Sequence, residues 1–99
     1  MLATDEILFF LRKNKVFLKE HFHCDEIGLF GSFARDEQSD DSDIDLLVVF
    51  EPEVPNLYEV ENELKIFLTR QFNRPVDICA KKWITPIFKP LILKEAIYA

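Results

Sequence analysis

The run IDLLVVF at residues 44–50 constrains the fold of this chain more than any other stretch. It is apolar apart from Asp45 and rich in Val, Leu and Ile, the composition of a strand that is buried on both faces. Such a strand needs other elements packed over both faces. The sequence therefore predicts a central strand inside a layered domain of helices and strands.

The segments on either side supply elements that would cover and extend this strand. Apolar spacing, β-branched content and Pro or Gly boundaries predict the following elements. They are a helix over residues 4–19, strands over 27–30 and 44–50, a helix over 57–72, a strand over 76–79 and a helix over 91–98. Thr4 is the predicted N-cap of the first helix, and Asn56 with Glu59 resembles a capping box at the second. The order α-β-β-α-β-α predicts an α/β or α+β sandwich, with a small mixed sheet covered by helices.

Composition narrows the function classes. The 99 residues suit a single domain over residues 1–99, and an apolar content of 48% argues against wholesale disorder. A net charge of −6 argues against binding nucleic acid by charge alone. The two Cys show no metal or redox spacing, and we find no signal peptide or membrane-spanning run. We therefore expect a soluble cytoplasmic protein without direct nucleic-acid or membrane binding.

Acidic residues at the start of the central strand are the first sign of chemistry. Asp43 and Asp45 are two positions apart, so their side chains point to one face, roughly 6–7 Å apart, while Ile44 points into apolar packing. Such a pair suits Mg²⁺, which takes one or two carboxylates and fills its remaining positions with water and phosphate oxygens. Asp77 lies in the third predicted strand and would complete a three-carboxylate site if the two strands are neighbours.

A turn upstream supplies a complementary anion site. Gly31 and Ser32 end a predicted strand and are expected to open a helix, whose backbone N–H groups attract phosphate. The Ser32 hydroxyl and the Arg35 guanidinium could add further donors. An anion-binding turn and a carboxylate pair, twelve residues apart, together indicate a nucleoside triphosphate site.

Plainer interpretations of the same residues compete with this one. Most acids between residues 36 and 41 are typical of a solvated loop, and Asp77 could be an ordinary surface acid. An EF-hand is disfavoured because Leu46 and Pro52 stand where that loop needs Gly and Glu. The His and Cys residues at 21–24 are more typical of a solvated helix end than of a metal site.

The motif G-S-x-x-R at residues 31–35, followed by S-D-x-D at 42–45 and an apolar strand, resembles the signature of the DNA polymerase beta-like nucleotidyltransferases. The short chain resembles the minimal nucleotidyltransferases, a branch that includes the antitoxins of HEPN toxin–antitoxin pairs. The resemblance covers nearly the whole chain and is more specific to the superfamily than to a substrate. Asp36 stands where family members often carry Gly.

The resemblance implies a role for each motif residue. The implied nucleotide-binding residues are Gly31, Ser32, Arg35 and Ser42, and the implied catalytic and metal-binding residues are Asp43, Asp45 and Asp77. It further implies two Mg²⁺ ions, ATP as substrate, and transfer of AMP to a tyrosine of a HEPN ribonuclease toxin. The chain is too short to form the additional helical domain of larger relatives, so a partner must supply it or the site stays open. The final helix is the expected partner surface.

Two other functions stay open at this point. The chain could be an antitoxin that neutralises its toxin by stoichiometric binding, which the acid at Asp36 slightly favours because it adds negative charge beside a phosphate site. It could instead transfer a nucleotide to a small molecule such as an aminoglycoside, which the absence of an acceptor-binding domain disfavours. Homo- and hetero-oligomers are both compatible with the sequence.

Overall fold

A computed structural model describes residues 2–81, 86–87 and 89–99, and its mixed α/β architecture confirms the predicted fold class. The elements in chain order are α1 (Thr4–Lys13), α2 (Lys15–Phe22), β1 (Cys24–Phe30), β2 (Ile44–Phe50), α3 (Leu57–Phe72), β3 (Val76–Ala80), α4 (Lys89–Glu95) and β4 (Ile97–Tyr98). Within these described ranges, no helix combines the length and apolar character needed to cross a membrane.

The four strands form one sheet in the order β3-β2-β1-β4. Strand β2 lies inside the sheet, antiparallel to β1 and parallel to β3. Its successive residues Leu46 and Leu47 point to opposite faces and are both 0% exposed, so the predicted burial on two faces is confirmed. The parallel β2–β3 pair is joined by the crossover helix α3, as parallel strands require.

The first predicted helix is two helices in the structure. Helix α1 ends at Lys13, and the Asn14 side chain donates a hydrogen bond to the Phe10 carbonyl at 2.9 Å. A side chain that bonds the helix backbone in this way competes with helix continuation, which accounts for the break that apolar spacing did not predict. Thr4 is not the N-cap: that residue is Ala3, and the Thr4 hydroxyl instead donates to the Phe33 carbonyl at 2.7 Å.

The start of α3 also differs from the predicted capping box. Asn56 adopts a left-handed conformation with φ of 56°, and its side chain makes no capping hydrogen bond. A residue in that conformation turns the chain sharply into the helix without presenting its side chain to the free N–H groups. The prediction of a capping box at Asn56 and Glu59 is therefore wrong, although the helix itself is confirmed.

The last element corrects the predicted C-terminal helix. Helix α4 ends at Glu95, and the short strand β4 then pairs antiparallel with β1, placing Tyr98 opposite Gly28. A Cβ on Gly28 would lie 3.2 Å from Cδ1 of the Tyr98 ring, so the missing side chain makes room for that ring. Residues 97–98 therefore form an edge strand and not the end of a helix, because they pair with a distant part of the chain.

Candidate active site

Gly31 opens the site at the end of β1. It has φ of 75°, and its carbonyl accepts hydrogen bonds from the N–H groups of Ala34 (3.1 Å) and Arg35 (3.2 Å). The chain continues as turns to Asp36, whose φ of 58° is left-handed. The prediction that Gly31 opens a helix is therefore wrong: the described chain has no helix between β1 and β2, and the left-handed Asp36 prevents these turns from continuing as one. Asp36 nevertheless adopts the conformation that a Gly at this position would favour.

The Gly31 backbone lies directly against the carboxylate of Asp45. A Cβ placed on Gly31 would lie 2.2 Å from Asp45 Oδ2, far inside van der Waals contact. No side chain larger than hydrogen fits there unless the carboxylate moves. The Gly of the first motif and the second Asp of the second motif are therefore packed as one unit.

Two of the predicted carboxylates lie on neighbouring strands. Asp45 on β2 and Asp77 on β3 are register partners, so their side chains share one face of the sheet. Asp43 precedes β2 and is exposed, while Ile44 is 0% exposed, which confirms the predicted alternation. The predicted condition that the strands of Asp45 and Asp77 are neighbours is met, and a site of three carboxylates stays a prediction.

The charges of these carboxylates influence one another. The pKa of Asp45 is raised, first by burial and then by the negative charges of Asp77 and Asp43, while Arg35 opposes the shift and Glu95 adds to it. A carboxylate under such repulsion gains from a nearby cation. The electrostatics of this face therefore favour binding of positive charge.

The suitability of this face for Mg²⁺ depends on its donor atoms. Among the described residues, no group of three or more His, Cys, Asp and Glu side chains is arranged to hold a metal ion. The carboxylates are thus not gathered into a ready-made cage. Mg²⁺ does not require one, because it is usually held by one or two carboxylates together with water and substrate phosphates. Asp45 and Asp77, as opposed oxygen donors on one sheet face, fit that requirement.

Arg35 is occupied by acidic side chains. Its Nε lies 3.2 Å from Glu37 Oε1, and its Nη1 donates to Glu95 of α4. These ion pairs tie the turn after β1 to the last helix. An incoming phosphate would have to compete with both carboxylates for this guanidinium, a constraint that the sequence did not reveal because Glu95 lies 60 residues away.

The two serines of the motifs take up different positions. Ser32 is half-buried, and its carbonyl accepts a hydrogen bond from the Glu37 N–H at 2.9 Å. Ser42 closes a tight turn: its Oγ accepts from the Ser39 N–H at 2.8 Å, and its own N–H donates to the Ser39 carbonyl at 3.1 Å. This turn shapes the approach to Asp43. Nucleotide binding by either serine stays a prediction.

Arg74 is the principal structural residue that sequence reasoning missed. Its Nη1 donates to the carbonyls of Ser42 (2.8 Å), Ser39 (3.1 Å) and Asp40 (3.2 Å), and its guanidinium carbon lies 5.4 Å from the centre of the Phe33 ring. Arg74 therefore clamps the acidic loop to the turn after Gly31. The sequence shows only a charged residue between Asn and Pro, which indicates a helix end and nothing more.

Comparison with known proteins gives a consistent result. The family model described as nucleotidyltransferase domain matches residues 11–99. The protein adenylyltransferase MntA of Thermococcus cleftensis is 38% identical over 98 residues, covering 99% of this chain and 97% of that protein. A Methanocaldococcus jannaschii protein, provisionally named a protein adenylyltransferase, is 37% identical over 99 residues, covering 99% of each chain.

Solved structures share the architecture. A structure described provisionally as a minimal nucleotidyltransferase superposes with a TM-score of 0.79 at 31% identity, covering 97% of this chain and 95% of that one. A toxin–antitoxin crystal structure with AMP-PNP superposes with a TM-score of 0.69 at 23% identity, covering 98% of this chain and 72% of that one. The second likeness shows the fold alone.

Proposed function

Because this chain belongs to the nucleotidyltransferase domain family, we propose that it is a Mg²⁺-dependent antitoxin enzyme that transfers AMP from ATP to a tyrosine of a HEPN ribonuclease toxin. The observation that carries the proposal is the opposition of Asp45 and Asp77 on neighbouring strands, with Gly31 packed against Asp45. The adenylyltransferase names of relatives at 38% and 37% identity support AMP as the transferred group.

The proposed reaction is one phosphoryl displacement. The tyrosine oxygen attacks the α-phosphorus of ATP, a new O–P bond forms, the bond to the bridging oxygen breaks, and pyrophosphate leaves. Mg²⁺, when bound, supplies positive charge that offsets the charge on the triphosphate. Asp43, Asp45 and Asp77 would hold the metal, and Asp77 would take the tyrosine proton. The turn from Gly31 would position the triphosphate.

An exposed apolar side chain on α4 supports the antitoxin role. Leu91 on α4 is 63% exposed, and the same helix carries Glu95, which pairs with Arg35. A protein that covered Leu91 would therefore lie against the helix whose Glu95 pairs with Arg35, and both of these charges act on Asp45. The net charge of −6 would suit a basic partner, because complementary charge speeds encounter.

One observation favours a second function. Arg35 is already paired with Glu37 and Glu95, which leaves less of its charge for a triphosphate. A chain with weak nucleotide affinity would neutralise its toxin by stoichiometric binding alone. Transfer to a small molecule has no comparable support in the described residues.

The intact mass of the partner protein distinguishes the enzyme from the binding antitoxin. The test combines this protein, ATP, Mg²⁺ and the protein encoded by the neighbouring gene, and compares Asp43→Asn/Asp45→Asn with the matched loop variant Asp40→Asn/Asp41→Asn. We expect the partner to gain the mass of one or more AMP units with the wild type and the Asp40/Asp41 variant, and to gain none with the Asp43/Asp45 variant. If the toxin is inhibited in a stable complex but gains no mass, the proposed enzyme is wrong and the protein is a binding antitoxin.

A further inference from the structure

The sheet order defines two sides of the site. An in-line displacement places the attacking oxygen and the leaving pyrophosphate on opposite sides of the α-phosphorus. Gly31 follows β1, and Asp77 lies on β3, on the opposite side of β2. With the triphosphate over the Gly31 turn, the acceptor oxygen therefore reaches phosphorus from the β3 side.

A cleft lies on that side, between α3 and β3. It is lined by Tyr58, Glu61, Asn62, Lys65, Asp77 and Ile78 and has a volume of about 160 Å³. An engineered protein cavity of about 150 Å³ accepts benzene, so a cleft of this volume is large enough for one aromatic ring. The size and position of the cleft thus match a single ring entering beside Asp77.

The lining chemistry matches a phenol. Tyr58, Asn62 and Lys65 follow one face of α3 at helical spacing, and Lys65 Nζ lies 3.7 Å from Asp77 Oδ1. Ile78 supplies apolar surface for a ring. A phenolic oxygen both donates and accepts hydrogen bonds, so a carboxylate and an ammonium group side by side can satisfy both functions.

We propose that this cleft is the acceptor subsite, and that it binds a phenolic side chain of the partner with its oxygen between Asp77 and Lys65. The proposal rests on the proposed function and identifies where the acceptor side chain binds. During transfer the phenolic proton passes to the Asp77 carboxylate as the oxygen–phosphorus bond forms and the bond to pyrophosphate breaks. Lys65 donates a hydrogen bond to the oxygen while negative charge develops on it.

Two cleft variants test this subsite. Lys65→Met removes the ammonium group, and its matched control is Lys19→Met, because Lys19 also pairs with an exposed aspartate, Asp25, at 3.4 Å. Asn62→Trp fills the cleft from an exposed position of α3, and its matched control is Glu63→Trp on the next, likewise exposed, position. Thermal melting checks that all four variants fold.

The readout is the pair of KM values measured in the partner adenylylation assay. We expect each cleft variant to raise KM for the partner about tenfold and to leave KM for ATP unchanged, with both controls like the wild type. Lys65→Met should also lower kcat, because it loses the donor that stabilises the developing negative charge. Transfer with an unchanged partner KM in both cleft variants overturns the subsite and leaves the proposed function intact. A parallel rise in KM for ATP also overturns it, because the cleft then serves the nucleotide. If the wild type transfers nothing, the proposed function fails and the subsite with it.

Discussion

At the scale of single residues, the site depends on an interlock between Gly31 and Asp45. The left-handed φ of Gly31 and the 2.2 Å approach of a hypothetical Cβ to the carboxylate leave no room for a side chain. Gly31 therefore leaves room for the Asp45 carboxylate and also allows the backbone to turn. We therefore expect a larger residue at position 31 to be tolerated only if Asp45 is also replaced.

Gly31→Ala tests this interlock. The new methyl group must push the Asp45 carboxylate aside, and a left-handed Ala costs about 1–2 kcal/mol. We expect thermal melting to show a modest loss of stability, whereas the adenylylation rate falls by at least an order of magnitude. Ala34→Gly, in the same turn, is the comparison for general loosening. An active Gly31→Ala enzyme would show that the carboxylate position is not critical.

The raised pKa of Asp45 leads to a second prediction, which applies to the protein without bound metal. Its folded-state pKa is raised, by burial first, so the folded state holds this proton to a higher pH than the unfolded state. Stability is therefore lost as pH rises from about 4, the usual Asp value, through the raised pKa. Asp45→Asn removes that loss. Because solvent screens this half-buried group, we expect a gain below about 1 kcal/mol.

Melting curves across pH measure the effect. Asp45→Asn should melt a few degrees above the wild type at pH 7, since about 1 kcal/mol shifts the melting temperature of a domain this size by roughly 4–8 °C. The difference should shrink towards zero below pH 4. Asp41→Asn, in the exposed loop, serves as control. An Asp45→Asn variant less stable than the wild type at neutral pH would contradict a raised pKa for the Asp45 carboxyl.

At the scale of elements, the acidic loop is held by Arg74 at the junction of α3 and β3. One guanidinium nitrogen donates to three carbonyls of the loop, and the Ile44 N–H donates to the Pro75 carbonyl at 2.9 Å. The loop that carries Asp43 is thus fixed to the strand that carries Asp77. Movement of the loop would displace Asp43 from Asp45 and Asp77, the pair that the sheet brings together.

Arg74→Gln tests this clamp. Hydrogen bonds from charged groups contribute about 1.5–3 kcal/mol when buried, and partial exposure should reduce the total loss here to about 1–2 kcal/mol. We expect faster amide exchange across residues 39–43 together with a lower melting temperature. Arg70→Gln, on the exposed side of α3, is the matched control and should leave exchange in the loop unchanged. Unchanged exchange in Arg74→Gln would mean that the loop holds its shape without the clamp.

At the scale of the whole molecule, the sequence predicted what local pattern determines and missed what distant residues determine. The central strand and α3 followed from the apolar pattern, and the opposition of Asp45 and Asp77 followed once their strands were paired. The pairing of β4 with β1 and the ion pair between Arg35 and Glu95 join residues far apart in the chain. No local spacing indicates such contacts, because they depend on how the completed layers meet.

The parallel β2–β3 pair has a consequence for the order in which the chain folds. Asp45 and Asp77 become neighbours only after the whole α3 crossover has closed, so the contact between them is non-local and slow to form. A ligand that bridges the two strands therefore binds the folded chain and finds no site in the unfolded one. Such a ligand stabilises the fold in proportion to its own concentration and affinity.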